Sequence, residues 1–98
     1  MKRFNKLTPS QDERLALLLE EMGEAIQVIG KIKRHGFDSA HPDNLEITNR
    51  MLLEKELGHV RHSMIRLCES GDLSKTEIHK AADMKRMNVW RYLHHQDD

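Results

Sequence analysis

The chain has 98 residues, enough for one domain and a modest core, with 33% charged and 38% hydrophobic residues. Its 16 basic and 16 acidic side chains cancel, so no sign-driven attraction to nucleic acid or an anionic membrane is expected. The single cysteine, Cys68, excludes an internal disulfide framework and a cysteine zinc site, and falls on the core side of its expected helix.

The N-terminal "MKRFNKLTPSQDER" lacks the apolar run of a secretory signal, and no stretch approaches the roughly 18 apolar residues of a membrane span. A cytoplasmic protein is expected, one domain over 1–98 with flexible ends at 1–9 and 95–98. A first helix opens at "TPSQDE", where Ser10 reads as N-cap with Glu13 three residues on. Apolar residues recur at 15, 18, 19, 22, 26 and 29, a stripe expected to face the core, and the helix runs to about Arg34 before the stop at Gly36. A loop with Pro42 follows. A second helix spans from about Leu45, or a little later, to Glu69, with a stripe of Leu53, Leu57, Val60, Met64 and Leu67. The third opens at "LSKTE" with Ser74 as N-cap and Glu77 at N3. Its apolar face is Ile78, Ala81, Ala82, Val89 and Tyr92, and it fades into "HHQDD". No strand pattern competes, so the fold class is all-α: two long helices plus a third, completed as a bundle by a second copy.

The chemistry-bearing residues sit at helical spacing. Glu21 and Glu24 lie one turn apart in "EEMGEAIQVIGK", bracketed on their own stripe by Leu17 and Val28. Acids placed beside a core repel unless one takes a proton or a cation sits between them. Glu20 points further round, toward solvent. On the second helix, Glu56 and His59 of "EKELGHVRHS" form another one-turn pair beside the apolar seam. Converging carboxylates suit a hard cation such as Mg2+, which keeps waters that a phosphate can replace. A plain solvated acidic face remains the alternative. Gly23 and Gly58, next to these groups, suggest close helix approach. On the third helix, Lys85 falls in the middle of the apolar face, either snorkelling or reaching into an anionic cleft, with Asn88 and Arg91 on its flank as further donors. His62 lies further from the core and reads as solvated, and histidines 35, 41, 79, 94 and 95 show no ligand spacing.

"EEMGE", then "ELGH", then "KRMN" resembles the all-α NTP pyrophosphohydrolases, the MazG-like group, over about Leu15 to Tyr92, and "ADMKRMNVWRYLHHQ" is similar to the end of small phage and bacterial members. The family pattern is EExxE on one helix, ExxD on the next, and a downstream Lys-x-x-Asn element. The resemblance implies Glu21, Glu24 and Glu56 as metal-binding and catalytic acids, Glu20 as the preceding acid, and Lys85 and Asn88 at the substrate, where Arg91 on their flank is a further candidate donor. It also implies hydrolysis of a nucleoside triphosphate to monophosphate and pyrophosphate, Mg2+ as cofactor, and a homodimer or tetramer with a shared site. His59 departs from the pattern by replacing its Asp. Imidazole is a poorer ligand for Mg2+ and a better one for Mn2+, Zn2+ or Fe2+. The same His59 completes Glu-x-x-His, the ligand motif of ferritin-like di-metal bundles. A third alternative is a non-catalytic helical interaction module that uses exposed Trp90, His94 and His95.

Overall fold

A computed structural model describes residues 4–97, and every regular element among them is a helix. The N-cap of helix α1 (Pro9–His35) lies two residues before the expected one. Thr8, not Ser10, is the N-cap. Its hydroxyl accepts from the Gln11 amide at 3.1 Å and its amide donates to Gln11 Oε1 at 2.9 Å. Pro9 fixes the first helical φ and has no amide proton to leave unsatisfied, so the start moves ahead of Ser10. At the other end Gly36, at φ +91°, turns the chain out of the helix while its amide donates to the Ile32 carbonyl at 2.7 Å.

Helix α2 (Asn49–Glu69) starts at N-cap Thr48, whose hydroxyl accepts from the Met51 amide at 3.2 Å. Helix α3 (Lys75–Asn88) starts at Ser74 as expected, with its hydroxyl accepting from the Glu77 amide at 3.2 Å, and continues as a 3-10 turn over Val89–Tyr92. No described helix is long and apolar enough to cross a membrane.

Helices α1 and α2 form an antiparallel hairpin, pinned at both ends. At the connection, the Asn49 amide donates to the Ser39 carbonyl at 2.8 Å and the Arg50 amide to the Phe37 carbonyl at 2.9 Å. The Arg50 guanidinium also lies 4.6 Å from the Phe37 ring centroid. At the open end, Arg14 forks onto Asp72, with Nε to Oδ2 at 2.7 Å and Nη2 to Oδ1 at 3.2 Å, and Gln11 adds a bond at 3.3 Å. That clasp holds the Asp72 carboxyl below its ordinary pKa and the Arg14 guanidinium above its own; for both, the hydrogen bond between them is the main cause.

Of the expected apolar stripe of α1, Leu18 lies on the side turned to α2, and most of the rest does not. The α1 side turned to α2 runs through Arg14, Leu18, Glu21, Ala25, Val28 and Ile32. Ala25 and Val28 are buried there, whereas Leu19 is 74% and Ile26 66% exposed, and Leu15, Met22 and Ile29 are exposed with them. Two neighbouring faces of α1 carry apolar residues, and the hairpin takes the one containing small Ala25, which lets the helices approach. In α2, Leu67 is fully buried, Leu57 is half exposed, and Cys68 is only half-buried. A Cβ built at Gly23 or Gly58 meets nothing within 4 Å, so neither glycine marks a close approach within the chain.

Helix α3 buries no residue and stands off the hairpin, so Lys85 is exposed instead of lying in a packed face. Ala25, Val28 and Leu67 are the whole buried apolar core among the described residues. The chain exposes 8619 Å², where a folded monomer of its 11.5 kDa mass is expected to expose about 5,800 Å². Its radius of gyration is 17.3 Å, against about 12.6 Å for a compact chain of this length.

Candidate metal centre

The centre of the hairpin holds acids where a helical pair would ordinarily hold leucines. Glu21 and Glu24 come from consecutive turns of α1, and Glu56 and His59 from consecutive turns of α2. One ligand atom from each of the four lies within 4.8 Å of the others. Helix spacing brings each pair to one side, and the antiparallel hairpin brings the pairs together. Glu56 is the most enclosed, its side chain 9% exposed, and that of Glu21 is 16% exposed. Glu24 is half-buried at the edge.

Buried Oε2 atoms of Glu21 and Glu56 have no hydrogen-bond partner. The His59 Nδ1 atom is 3.3 Å from the former and 3.7 Å from the latter, within ion-pair reach without hydrogen-bond geometry. Lys55 Nζ approaches the other Glu56 oxygen at 3.6 Å. Buried carboxylate oxygens left in this state are costly, and a shared cation would satisfy both at once. The Glu24 carboxyl is pushed above the ordinary carboxylate range, first by a hydrogen bond to Glu56, then by burial, then by the charges of Glu56, Glu21 and Glu20. With converging oxygens and partial burial, these groups could hold a metal ion.

The structure brings together Glu21, Glu24, Glu56 and His59, and leaves the remaining expected residues apart. Glu20 is exposed beside the cluster, and His62 is exposed one turn beyond His59. Lys85, Asn88 and Arg91 are all exposed on the arm formed by α3 and its 3-10 turn, with Asn88 Nδ2 donating to the Met84 carbonyl at 2.8 Å. Trp90, His94 and His95 are exposed too. Sequence spacing gave no sign of the Arg14–Asp72 clasp, because the partners are 58 residues apart and neither belongs to a motif.

Compared with known proteins, the sequence matches no family model, and neither the curated proteins nor the solved structures give a match.

Proposed function

We propose that this chain is a metal-dependent nucleoside triphosphate pyrophosphohydrolase, as its ordered motifs suggest. The observation that supports this most is the meeting of Glu21, Glu24, Glu56 and His59 within 4.8 Å, with two buried carboxylate oxygens lacking partners. Glu21, Glu24 and Glu56 would hold Mg2+, with His59 as a fourth ligand better suited to Mn2+. A bound divalent cation would neutralise phosphate charge and make a water molecule more acidic. The chain's own part is to hold these oxygens rigidly on two helices and to receive the water proton on a carboxylate of the cluster, with Glu20 at its solvent edge. Water adds across the α–β phosphoanhydride: its oxygen stays on one phosphorus, the bridging oxygen leaves on the other, and monophosphate and pyrophosphate result. A cytoplasmic setting, where nucleotides are abundant, fits this reaction.

The reading includes a homodimer, or a tetramer built from it. The excess of about 2,800 Å² over a folded monomer is of the size that obligate partners cover. The uncovered residues include apolar ones: Leu19, Met22, Ile26 and Ile29 along α1, and Met84, Met87 and Trp90 on the arm of α3 and its 3-10 turn. A second copy seated on this face would enclose α3, and Lys85, Asn88 and Arg91 would then reach substrate in an assembled site.

The test is product analysis with each nucleotide in Mg2+ and separately in Mn2+. Monophosphate and pyrophosphate are expected, and Glu24→Gln and Glu56→Gln should each abolish the reaction with helix content unchanged. No monophosphate from any nucleotide with either metal would overturn the reading. The placement of His59 beside Glu21 and Glu56 favours one rival, a ferritin-like di-metal bundle, whose signature is two irons per dimer and an oxygen-dependent absorbance change. An interaction module would show neither.

A further inference from the structure

The connection between α1 and α2 folds beside the end of the hairpin and forms an open-sided cavity of about 530 Å³. Its walls include Lys31, Arg34, His35 and His41, and no acidic residue lines it. Among the described residues Lys31 and Arg34 have no acidic partner, whereas His41 lies 3.5 Å from Asp43, so the unpaired positive charge at this cavity is that of Lys31 and Arg34. The walls are also fixed: the Asn49 side chain donates to the Gly36 carbonyl at 3.2 Å, and the backbone bonds from Asn49 to Ser39 and from Arg50 to Phe37 tie the loop to α2.

Helical spacing places the cavity about two turns from the acid cluster on α1 and one turn from it on α2. Lys31 follows Glu24 by seven residues, two helical turns or about 10.5 Å along the same stripe of α1, and His35 lies one turn further. Leu52 lines the cavity one turn before Glu56 on α2. Side chains on a helix lean toward its N-terminus, which directs the Lys31 stem from the cavity back toward Glu24.

Resting on the pyrophosphohydrolase reading, the geometry points to this cavity as the subsite for the pyrophosphoryl end of the substrate. Lys31 and Arg34 receive the two distal phosphates while the cation cluster holds the phosphate nearest the nucleoside. An ammonium and a guanidinium free of internal partners are suited to this anion, and the guanidinium fork offers paired donors to phosphate oxygens. The cavity then retains pyrophosphate after cleavage, which makes pyrophosphate a product inhibitor.

The experiment is calorimetric titration of the full chain with inorganic pyrophosphate in chelator, so that the cation cluster takes no part. Wild type is expected to bind. The double variant Lys31→Ala/Arg34→Ala should lose at least tenfold in affinity, and Lys31→Arg should retain it. Lys33→Ala, which removes a positive charge of α1 outside the cavity wall, should bind as wild type does. A nucleoside triphosphate should displace pyrophosphate and a nucleoside monophosphate should not. Absence of binding, equal weakening by Lys33→Ala, or displacement by the monophosphate alone would each overturn the assignment. Pyrophosphate binding through Lys31 and Arg34 in a chain that hydrolyses no nucleotide would uphold the anion site and remove the hydrolase reading. Hydrolysis with pyrophosphate binding indifferent to both residues would do the reverse.

Discussion

Replacing Ile26 by alanine tests whether the exposed stripe of α1 is the dimer face. Ile26 touches neither the cation cluster nor the α2 side of α1, and it is 66% exposed, so the substitution leaves the hairpin interior intact. Full burial of an isoleucine side chain contributes about 1.5–3 kcal/mol, so covering the exposed two thirds contributes about 1–2 kcal/mol per copy. A two-fold interface contains the residue twice, giving about 2–4 kcal/mol per dimer, or roughly 30- to 800-fold in the dissociation constant. Sedimentation equilibrium over a wide concentration range reads this directly, as a shift of the midpoint between the 11.5 kDa chain and twice that mass. Leu17→Ala, on another part of the same helix, should shift it far less. A wild-type chain that remains at 11.5 kDa at high concentration and still unfolds cooperatively would refute the reasoning, because its three buried apolar residues would then suffice alone.

Other outcomes follow from the same contacts. Leu67→Ala removes the one fully buried large apolar side chain among the described residues and should cost about 2–5 kcal/mol, measured by denaturant titration. Mn2+ should raise the melting temperature in a concentration-dependent way, and Glu56→Gln should abolish that rise even if no nucleotide is hydrolysed. Since the folded pKa of Asp72 lies below its unfolded value of about 3.9, the clasp contributes stability above that pH and loses it as pH falls through the folded pKa. Acid titration of stability should therefore be flatter in Asp72→Asn than in wild type. Thr8→Ala deletes the cap of α1 and should cost about 1 kcal/mol, read as a lower melting temperature.

Helix number, the Ser74 cap and the one-turn pairs Glu21/Glu24 and Glu56/His59 were legible from periodicity, because each depends on residues three or four apart; the meeting of the two pairs depends on the hairpin. The inward face of α1 was not. Its most hydrophobic stripe, through Leu19 and Ile26, is the natural choice for a core, yet the hairpin buries the stripe through Ala25 and Val28. Hydropathy ranks faces without saying which neighbour each one meets, and a chain with two apolar faces needs two neighbours. The Lys31–Arg34 cavity was hidden for a related reason. Its cations occupy the last turns of a helix, where basic residues also complement the helix dipole, and only the folded loop shows that they line a cavity.

The two pins of the hairpin differ greatly in the length of chain they close. The contacts at the connection, Ser39 to Asn49 and Phe37 to Arg50, close loops of about a dozen residues, whereas the Arg14–Asp72 clasp closes 58. At (3/2)RT ln n, that fivefold difference makes closing the clasp first costlier by about 1.4 kcal/mol. Folding should therefore start at the loop and zip toward the open end, with the acid pairs meeting midway and the clasp forming last. Substitutions at Asn49 should slow folding, while substitutions at Asp72 should mainly speed unfolding. The clasp is then a latch on lifetime: it governs how long the hairpin stays shut once the rest has formed.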